Sequence, residues 1–222
     1  KDLGMINTTF CNPHGLDEKC DNVSSARDMA LLTQYANSIP TYKEIVGTKR
    51  HIAKSNLKTY DWYNKNKLLS TYEYTTGGKT GFTEKARRTL VTSATKEGIN
   101  LIAVTLDDPN DFTTHKRLYE YGFNNYKKYT ILSKNTFKLE NKYYKNVYIE
   151  KDFSYILKED ELNKISVKYK IEENKKIKDK DKVGVAKIYL DNVLIKEEDI
   201  FVKVNKKKRE GIFRKILNFF RW

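Results

Sequence analysis

Two apolar runs, residues 89–95 (TLVTSAT) and 100–106 (NLIAVTL), stand four residues apart, and the connection Lys96-Glu97-Gly98-Ile99 leaves room only for a tight turn. Both runs are rich in β-branched residues and too short for independent helices. They must pair as an antiparallel hairpin. Each is apolar on one face and nearly so on the other, which places the hairpin in the middle of a sheet. Helical patterns flank it. Ser24 and Ser25 can cap a helix to about Asn37, with Ala26, Met29, Ala30, Leu31 or Leu32, and Tyr35 recurring at helical spacing. Residues 112–126 (FTTHKRLYEYGFNNY) predict another helix, with Leu118, Tyr119 and Phe123 toward the core. Residues 1–127 therefore read as a mixed α/β region.

From about Lys128 the texture changes. Phe153, Tyr155 and Leu157 alternate with polar residues, as do Ile165, Val167, Tyr169 and Ile171, and residues 183–190 and 200–204 continue the series. Short alternating strands separated by charged turns predict a small antiparallel β-sandwich with a wet outer face, beginning near residues 127–130. The Lys-rich stretch 175–182 reads as a solvated hairpin turn, and no internal repeat is evident.

Composition removes several classes of protein. With 39% hydrophobic and 13% aromatic residues the chain can bury a core, which excludes global disorder. No run approaches the roughly 18 apolar residues of a membrane-spanning helix, which excludes a polytopic membrane protein. Cys11 and Cys20 alone build neither a disulfide framework nor a four-thiolate zinc module. Two reduced thiols, one disulfide, and an incomplete metal site with His14 remain open. Starting at Lys1 with no charged-then-apolar leader, the chain reads as processed or truncated, so the missing signal peptide says nothing of compartment.

The formal net charge is +14, and half of it sits in residues 203–222, where eight basic side chains face the single acid Glu210. Such a tail suits nucleic acid or an anionic membrane. On a helix, Ile212, Phe213, Ile216, Leu217, Phe219 and Phe220 share one broad face while Arg214, Lys215, Asn218 and Arg221 share the other, with Trp222 at the end. Together with the basic run 206–209, this pattern predicts a helix lying in a lipid interface. Nucleic acid is disfavoured, because the basic face lacks interleaved stacking aromatics and no known binding motif appears.

Chemistry concentrates in Thr76-Gly77-Gly78-Lys79-Thr80-Gly81-Phe82-Thr83. A phosphate loop needs four residues between its first Gly and a Gly-Lys-Ser/Thr that opens a helix, whereas here a β-prone stretch precedes and no helix pattern follows. The alternative is a Lys-Thr-Gly edge strand, in which Lys is a point charge for an anionic substrate, the Thr hydroxyl donates to a carboxylate, and Gly admits substrate to the backbone.

The ordered set Asn7-Thr8-Thr9-Phe10, Asn12-Pro13-His14-Gly15-Leu16, residues 24–30 (SSARDMA), Gly78-Lys79-Thr80-Gly81-Phe82-Thr83 with Ala86, and residues 90–94 (LVTSA) closely resembles the second half of the serine-type D-alanyl-D-alanine carboxypeptidases. These are low-molecular-mass penicillin-binding proteins, and the likeness is greatest to the DacF-like branch. The resemblance is dense over residues 1–127. It implies an α/β (α+β) part of a penicillin-binding/β-lactamase-like transpeptidase domain over 1–127, a β-rich C-terminal domain over 128–204, and an amphipathic membrane-anchor helix over 205–222.

It also implies serine acyl transfer on peptidoglycan stem peptides ending in D-Ala-D-Ala, with β-lactam antibiotics as competing ligands and no metal or organic cofactor. Carried onto this chain, Lys79 and Thr80 hold the terminal carboxylate, Gly81 lets substrate approach, and the Phe82 backbone N–H is one oxyanion-hole donor. The family's Ser-x-x-Lys and Ser-x-Asn motifs are expected to be absent here, with nucleophile and base in a missing N-terminal half. The resemblance gives His14 a loop-ordering role. It marks Arg87 as standing where relatives often carry Gly, with a solvated side chain near enough to the Lys-Thr-Gly strand to attract an acidic stem. A β-lactamase-like hydrolase and a non-catalytic, membrane-anchored wall-binding module are the alternatives.

Overall fold

The computed structural model describes residues 2–16, 21–173 and 176–204. These divide into two compact units, one ending at Lys127 and the other starting at Lys128. The first contains α1 (Ala26–Ala36), α2 (Pro40–Gly47), β1 (Arg50–Lys54), β2 (Thr59–Tyr63), α3 (Leu68–Thr71), β3 (Thr75–Thr83), β4 (Arg87–Lys96), β5 (Ile99–Leu106) and α4 (Asp111–Asn125).

The predicted hairpin is β4–β5, paired from Thr89↔Leu106 to Lys96↔Ile99. Its turn residues Glu97 and Gly98 both have left-handed backbone (φ 51° and 76°), the geometry that matches the natural twist of two antiparallel strands. The sheet runs β3-β4-β5, so only β4 is central, and β5 is an edge among the described strands rather than an interior one. The apolar character of β5 follows from cover on its faces. On one side α4 packs Tyr119 against Leu90, Ala94 and Ala103. On the other, Asn37 at the end of α1 donates to the Ser93 hydroxyl at 2.8 Å.

Part of each predicted helix face is covered, since Tyr119 is buried with Phe123 packed against the same core and Met29, Ala30, Leu31 and Leu32 are half-buried, but the most buried positions differ from those expected. In α4 the buried stripe is Asp111, His115, Tyr119 and Gly122, and Leu118 is 46% exposed. In α1 the buried residues are Asp28 and Thr33, while Tyr35 is 55% exposed. Ser25 caps α1 as expected, accepting from the Asp28 amide at 3.2 Å. The hairpin β1–β2 and the helix α2 carry no apolar periodicity strong enough to have been anticipated.

The second unit holds β6 (Lys127–Leu132), β7 (Val147–Tyr148), β8 (Phe153–Leu157), a 3-10 turn (Glu159–Lys164), β9 (Ile165–Ile171), β10 (Lys182–Leu190) and β11 (Val193–Val202). Four strands form an antiparallel sheet in the order β7-β11-β10-β9, and β6 pairs with β8. Ile149, Val183, Ala186, Ile188, Ile200 and Val202 build its core, with Ile165, Val167 and Ile171 packed against them. Tyr169 is 42% exposed and meets the Phe137 ring edge-on instead. Strand β11 starts well before Ile200. Its middle, residues 196–199 (KEED), is written in charges, and Lys187–Glu197 at 2.7 Å and Lys182–Asp199 at 2.6 Å pair across the wet face in place of apolar contacts. No helix among the described residues is long and apolar enough to cross a membrane. The amphipathic stretch 205–222 and Cys20 lie outside the described residues.

Candidate active site

Strand β3 carries the Lys-Thr-Gly segment along an edge of the sheet, with β4 its one partner among the described strands. In an antiparallel pair half of the backbone N–H and C=O groups point away from the partner, so β3 offers its outer groups to a ligand. The strand enters through a bulge between Thr75 and Gly77, and two glycines make this possible. A Cβ on Gly77 would lie 2.5 Å from Val46 Cγ2, because α2 packs directly onto the strand. Gly78 has φ +154°, and its Cβ would lie 2.4 Å from the Val91 carbonyl oxygen and 2.8 Å from Thr92 Cα.

The register Lys79↔Val91, Thr80↔Leu90, Gly81↔Thr89 and Phe82↔Arg88 sets the side chains on alternate faces. Lys79 and Gly81 lie on the Ser93 face, and Thr80 and Phe82 on the α4 face. The structure thus brings the four residues together as one exposed strand edge, and it does not put the lysine ammonium and the threonine hydroxyl on a common face. Lys79 is exposed and its ammonium donates to the Thr80 carbonyl; Phe82 is 58% exposed. At the far end, Arg87 adopts a left-handed backbone (φ 55°) and pairs with Glu84 at 3.5 Å. That conformation favours glycine, so the arginine stands in a backbone geometry that a glycine would hold with less strain.

Behind the strand the sheet is held rigid by polar groups that sequence reading missed. Thr92 Oγ1 lies 2.7 Å from His115 Nδ1 and 2.6 Å from the Tyr119 hydroxyl, and His115 Nε2 lies 3.1 Å from Thr105 Oγ1. Burial pushes the His115 pKa down to about 4, against the opposing pull of Asp111 and Asp108. Arg88 donates to both oxygens of the buried Asp111 carboxylate, at 2.7 and 2.9 Å. This pair fixes the start of α4 beside the turn that ends β3. A polar residue at i, i+4 on a helix stripe that otherwise faces a sheet was the available signal.

The other motifs of the resemblance are structural. Asp28 is fully buried and accepts from Thr8 Oγ1 at 2.7 Å and from the Asn7 amide at 2.8 Å. The Thr8 hydrogen bond, above all, lowers its pKa despite burial. In the Asn12-Pro13-His14-Gly15-Leu16 turn, Asn12 Oδ1 accepts from the Gly15 amide at 2.7 Å and Asn12 Nδ2 donates to the Leu16 carbonyl at 2.8 Å. Exposed His14 accepts the Leu16 amide at 3.2 Å, ordering the loop. Of the three readings open for Cys11, the structure takes the disulfide.

The expectation that the serine motifs are absent needs correction at the level of bare spacing. Ser55-x-x-Lys58, Ser93-x-x-Lys96 and Ser133-x-Asn135 all occur. None forms a catalytic pair. A Ser-x-x-Lys pair is brought face to face by a helix, where residues three apart are neighbours. Ser55 instead closes the β1–β2 turn, accepting the Leu57 and Lys58 amides at 3.3 and 3.2 Å. Ser93 lies on β4, where a residue three positions away points to the opposite face, and Lys96 sits 4.9 Å over the Tyr74 ring. Ser133 belongs to a turn of the second unit, with its carbonyl accepting the Thr136 amide at 3.2 Å. A cleft of about 560 Å³ beside Tyr72, Glu73, Thr75, Lys116 and Glu120 opens at the start of β3, away from Lys79.

The chain is similar to known proteins over most of its length. Residues 1–110 match the family model "D-alanyl-D-alanine carboxypeptidase", and residues 124–208 match "Penicillin-binding protein 5, C-terminal domain". The chain belongs to the D-alanyl-D-alanine carboxypeptidase family. It is 30% identical over 139 residues to DacF of Bacillus subtilis, an alignment covering 61% of this chain and 36% of that protein. With DacC of Escherichia coli it shares 36% identity over 132 residues, 55% of this chain and 31% of the relative. The chain thus spans about a third of the length of these two relatives. Penicillin-binding protein 5 from Haemophilus influenzae superposes with a TM-score of 0.65 at 27% identity, over 91% of this chain and 62% of that one. Penicillin-binding protein 6B from Escherichia coli gives 0.59 at 25% identity, over 89% and 56%.

Proposed function

We propose that this chain forms the Lys-Thr-Gly wall of a serine D-alanyl-D-alanine carboxypeptidase that removes the terminal D-Ala from peptidoglycan stem peptides outside the cytoplasm. The observation that carries the reading is β3, an edge strand with Lys79, Thr80, Gly81 and Phe82 exposed or half-exposed along it and glycines holding it against α2 and β4. In this role the substrate backbone lies along the outer edge of β3. Its terminal carboxylate takes charge-assisted bonds from Lys79 and the Thr80 hydroxyl, approaching across the strand edge because the two lie on opposite faces. Gly81 admits the scissile amide, and the Phe82 N–H donates to the oxygen that gains charge as a serine attacks. The attacking serine and its base are supplied from outside residues 1–222. A β-lactam, whose carboxylate and strained amide imitate the same groups, occupies the same edge.

In domain terms, residues 1–127 are the C-terminal part of the catalytic domain, 128–204 a β-rich domain, and 205–222 a membrane anchor. What supports the anchor is the sequence pattern alone. Six large apolar side chains on one helical face and a basic run before them suit the outer face of an anionic cytoplasmic membrane.

Labelling with a fluorescent penicillin tests the assignment. The 222-residue chain should form no covalent adduct, and a version extended by the Ser-x-x-Lys and Ser-x-Asn segments of a relative should form one. An adduct on the chain by itself would place the nucleophile on one of its own serines and overturn the division of roles.

A further inference from the structure

The hairpin β1–β2 belongs to neither larger sheet, and almost all of its residues are exposed on both faces. A two-stranded hairpin without an apolar face is marginal by itself, so its aromatic residues are not there to build a core. The register His51↔Trp62 and Ala53↔Tyr60 sets His51, Tyr60 and Trp62 in a row on one face. The His51 and Trp62 rings stack at 6.1 Å with 16° between planes, and Tyr60 follows 5.3 Å from Trp62 at 35°. Trp62 is 54% exposed, and the Lys58 ammonium sits 4.5 Å over the Tyr60 ring at the end of the row. The opposite face is already self-satisfied, with Arg50 clamped by Asp61 at 2.7 and 2.8 Å and lying over Tyr63 at 5.2 Å.

A row of flat rings bordered by hydrogen-bonding groups fits a ligand that is itself apolar on its faces and polar around its rim. A pyranose ring has that character, with C–H groups on its faces and hydroxyls at its edge. The charge balance narrows the choice further. Asp61 is matched by Arg50, which leaves Lys54 and Lys58 as positive charges at the open end of the hairpin and favours a sugar polymer whose substituents bear carboxylates, as peptide stems do. We propose that this face binds the glycan backbone of the polymer whose stem peptides β3 engages, which rests on the function proposed above.

The attachment of the hairpin gives the binding a purpose. Asn64, just after β2, donates to the Thr48 and Val46 carbonyls at 3.0 and 3.4 Å, and its amide donates to the Lys49 carbonyl at 2.9 Å. Val46 in turn packs on Gly77 of β3. One rigid path therefore joins the aromatic row to the Lys-Thr-Gly strand. A glycan seated on the row holds its stem peptides at a fixed offset from β3, which raises their local concentration there.

The test uses the whole chain in a Trp222→Phe background, so that Trp62 is the only indole and the basic tail does not contribute to the signal. The probe is bacterial-wall glycan strands freed of stem peptides by an amidase, at physiological salt. Trp62 fluorescence should change on titration, and in titration calorimetry, which needs no indole, Trp62→Ala with Tyr60→Ala should weaken strand binding by about tenfold or more. Trp62→Phe, which keeps a ring, should retain most of the affinity, and Tyr63→Ala on the opposite face should leave it unchanged. Lys58→Gln should weaken binding to the carboxylate-bearing strands and not to neutral chitohexaose. An unresponsive Trp62 would overturn the proposal, as would equal loss in the Tyr63 variant. So would a hairpin that responds only to phosphatidylglycerol vesicles or single-stranded DNA. Penicillin labelling of the extended protein is independent of all these readouts, so failure of glycan binding and failure of the carboxypeptidase reading are told apart.

Discussion

Lowering the pH from 8 to 5 should destabilise the first unit by about 2 kcal/mol through His115 alone. Burial among Thr92, Thr105 and Tyr119 holds its folded-state pKa at about 4, below the ordinary 6.5 of an unfolded chain. The folded state therefore binds fewer protons than the unfolded state between those values, and stability falls as the pH drops through that window. The complete loss, reached below about pH 4, is on the order of 3 kcal/mol. Against a typical domain stability of about 5 to 15 kcal/mol, that is a large share.

Urea unfolding followed by Trp62 fluorescence in the Trp222→Phe background reads this unit. At about 1.5 kcal/mol per molar urea, the midpoint should fall by roughly 1 M between pH 8 and pH 5. His115→Gln removes the titration and should flatten that slope while lowering stability at pH 8, since the hydroxyls of Thr92 and Thr105 lose their partner. Carboxylates such as Asp28, whose pKa is lowered from 3.8, contribute below this window and leave it clean. His14 and His51 are exposed. An unchanged pH slope in the His115→Gln protein would refute the argument.

Gly78→Ala should destabilise the first unit by about 2 to 4 kcal/mol, because a Cβ there meets the β4 backbone in a conformation side chains rarely adopt; thermal melting reads this. In a version of the protein that acylates, Lys79→Ala should slow penicillin acylation by about 10- to 100-fold, the worth of a charge-assisted hydrogen bond of about 1.5 to 3 kcal/mol, and an unchanged rate in stopped-flow assays would remove Lys79 from the site. Deleting residues 211–222 should release the chain from anionic vesicles without loss of the β signal in circular dichroism, since β11 ends at Val202; equal sedimentation with vesicles would exclude the anchor.

The β4–β5 hairpin was legible because its determinants are local. Two β-branched runs and a Glu97-Gly98 turn set their own register, whatever surrounds them. The cap of α1 at Ser25, the alternation of β9, and the order of motifs that marks the family are local or linear in the same way. Periodicity states which residues share a face, and it leaves undecided which face is covered. That choice fell to tertiary packing. It buried Asp28 and His115, whose partners Thr8, Thr92 and Thr105 are distant in sequence, and it left Tyr35 and Leu118 in water. The serine spacings mark the same boundary from the other side. Ser93 and Lys96 carry the spacing of a catalytic pair, yet on a strand an odd separation sends them to opposite faces, so the residues that can meet are decided by the backbone between them.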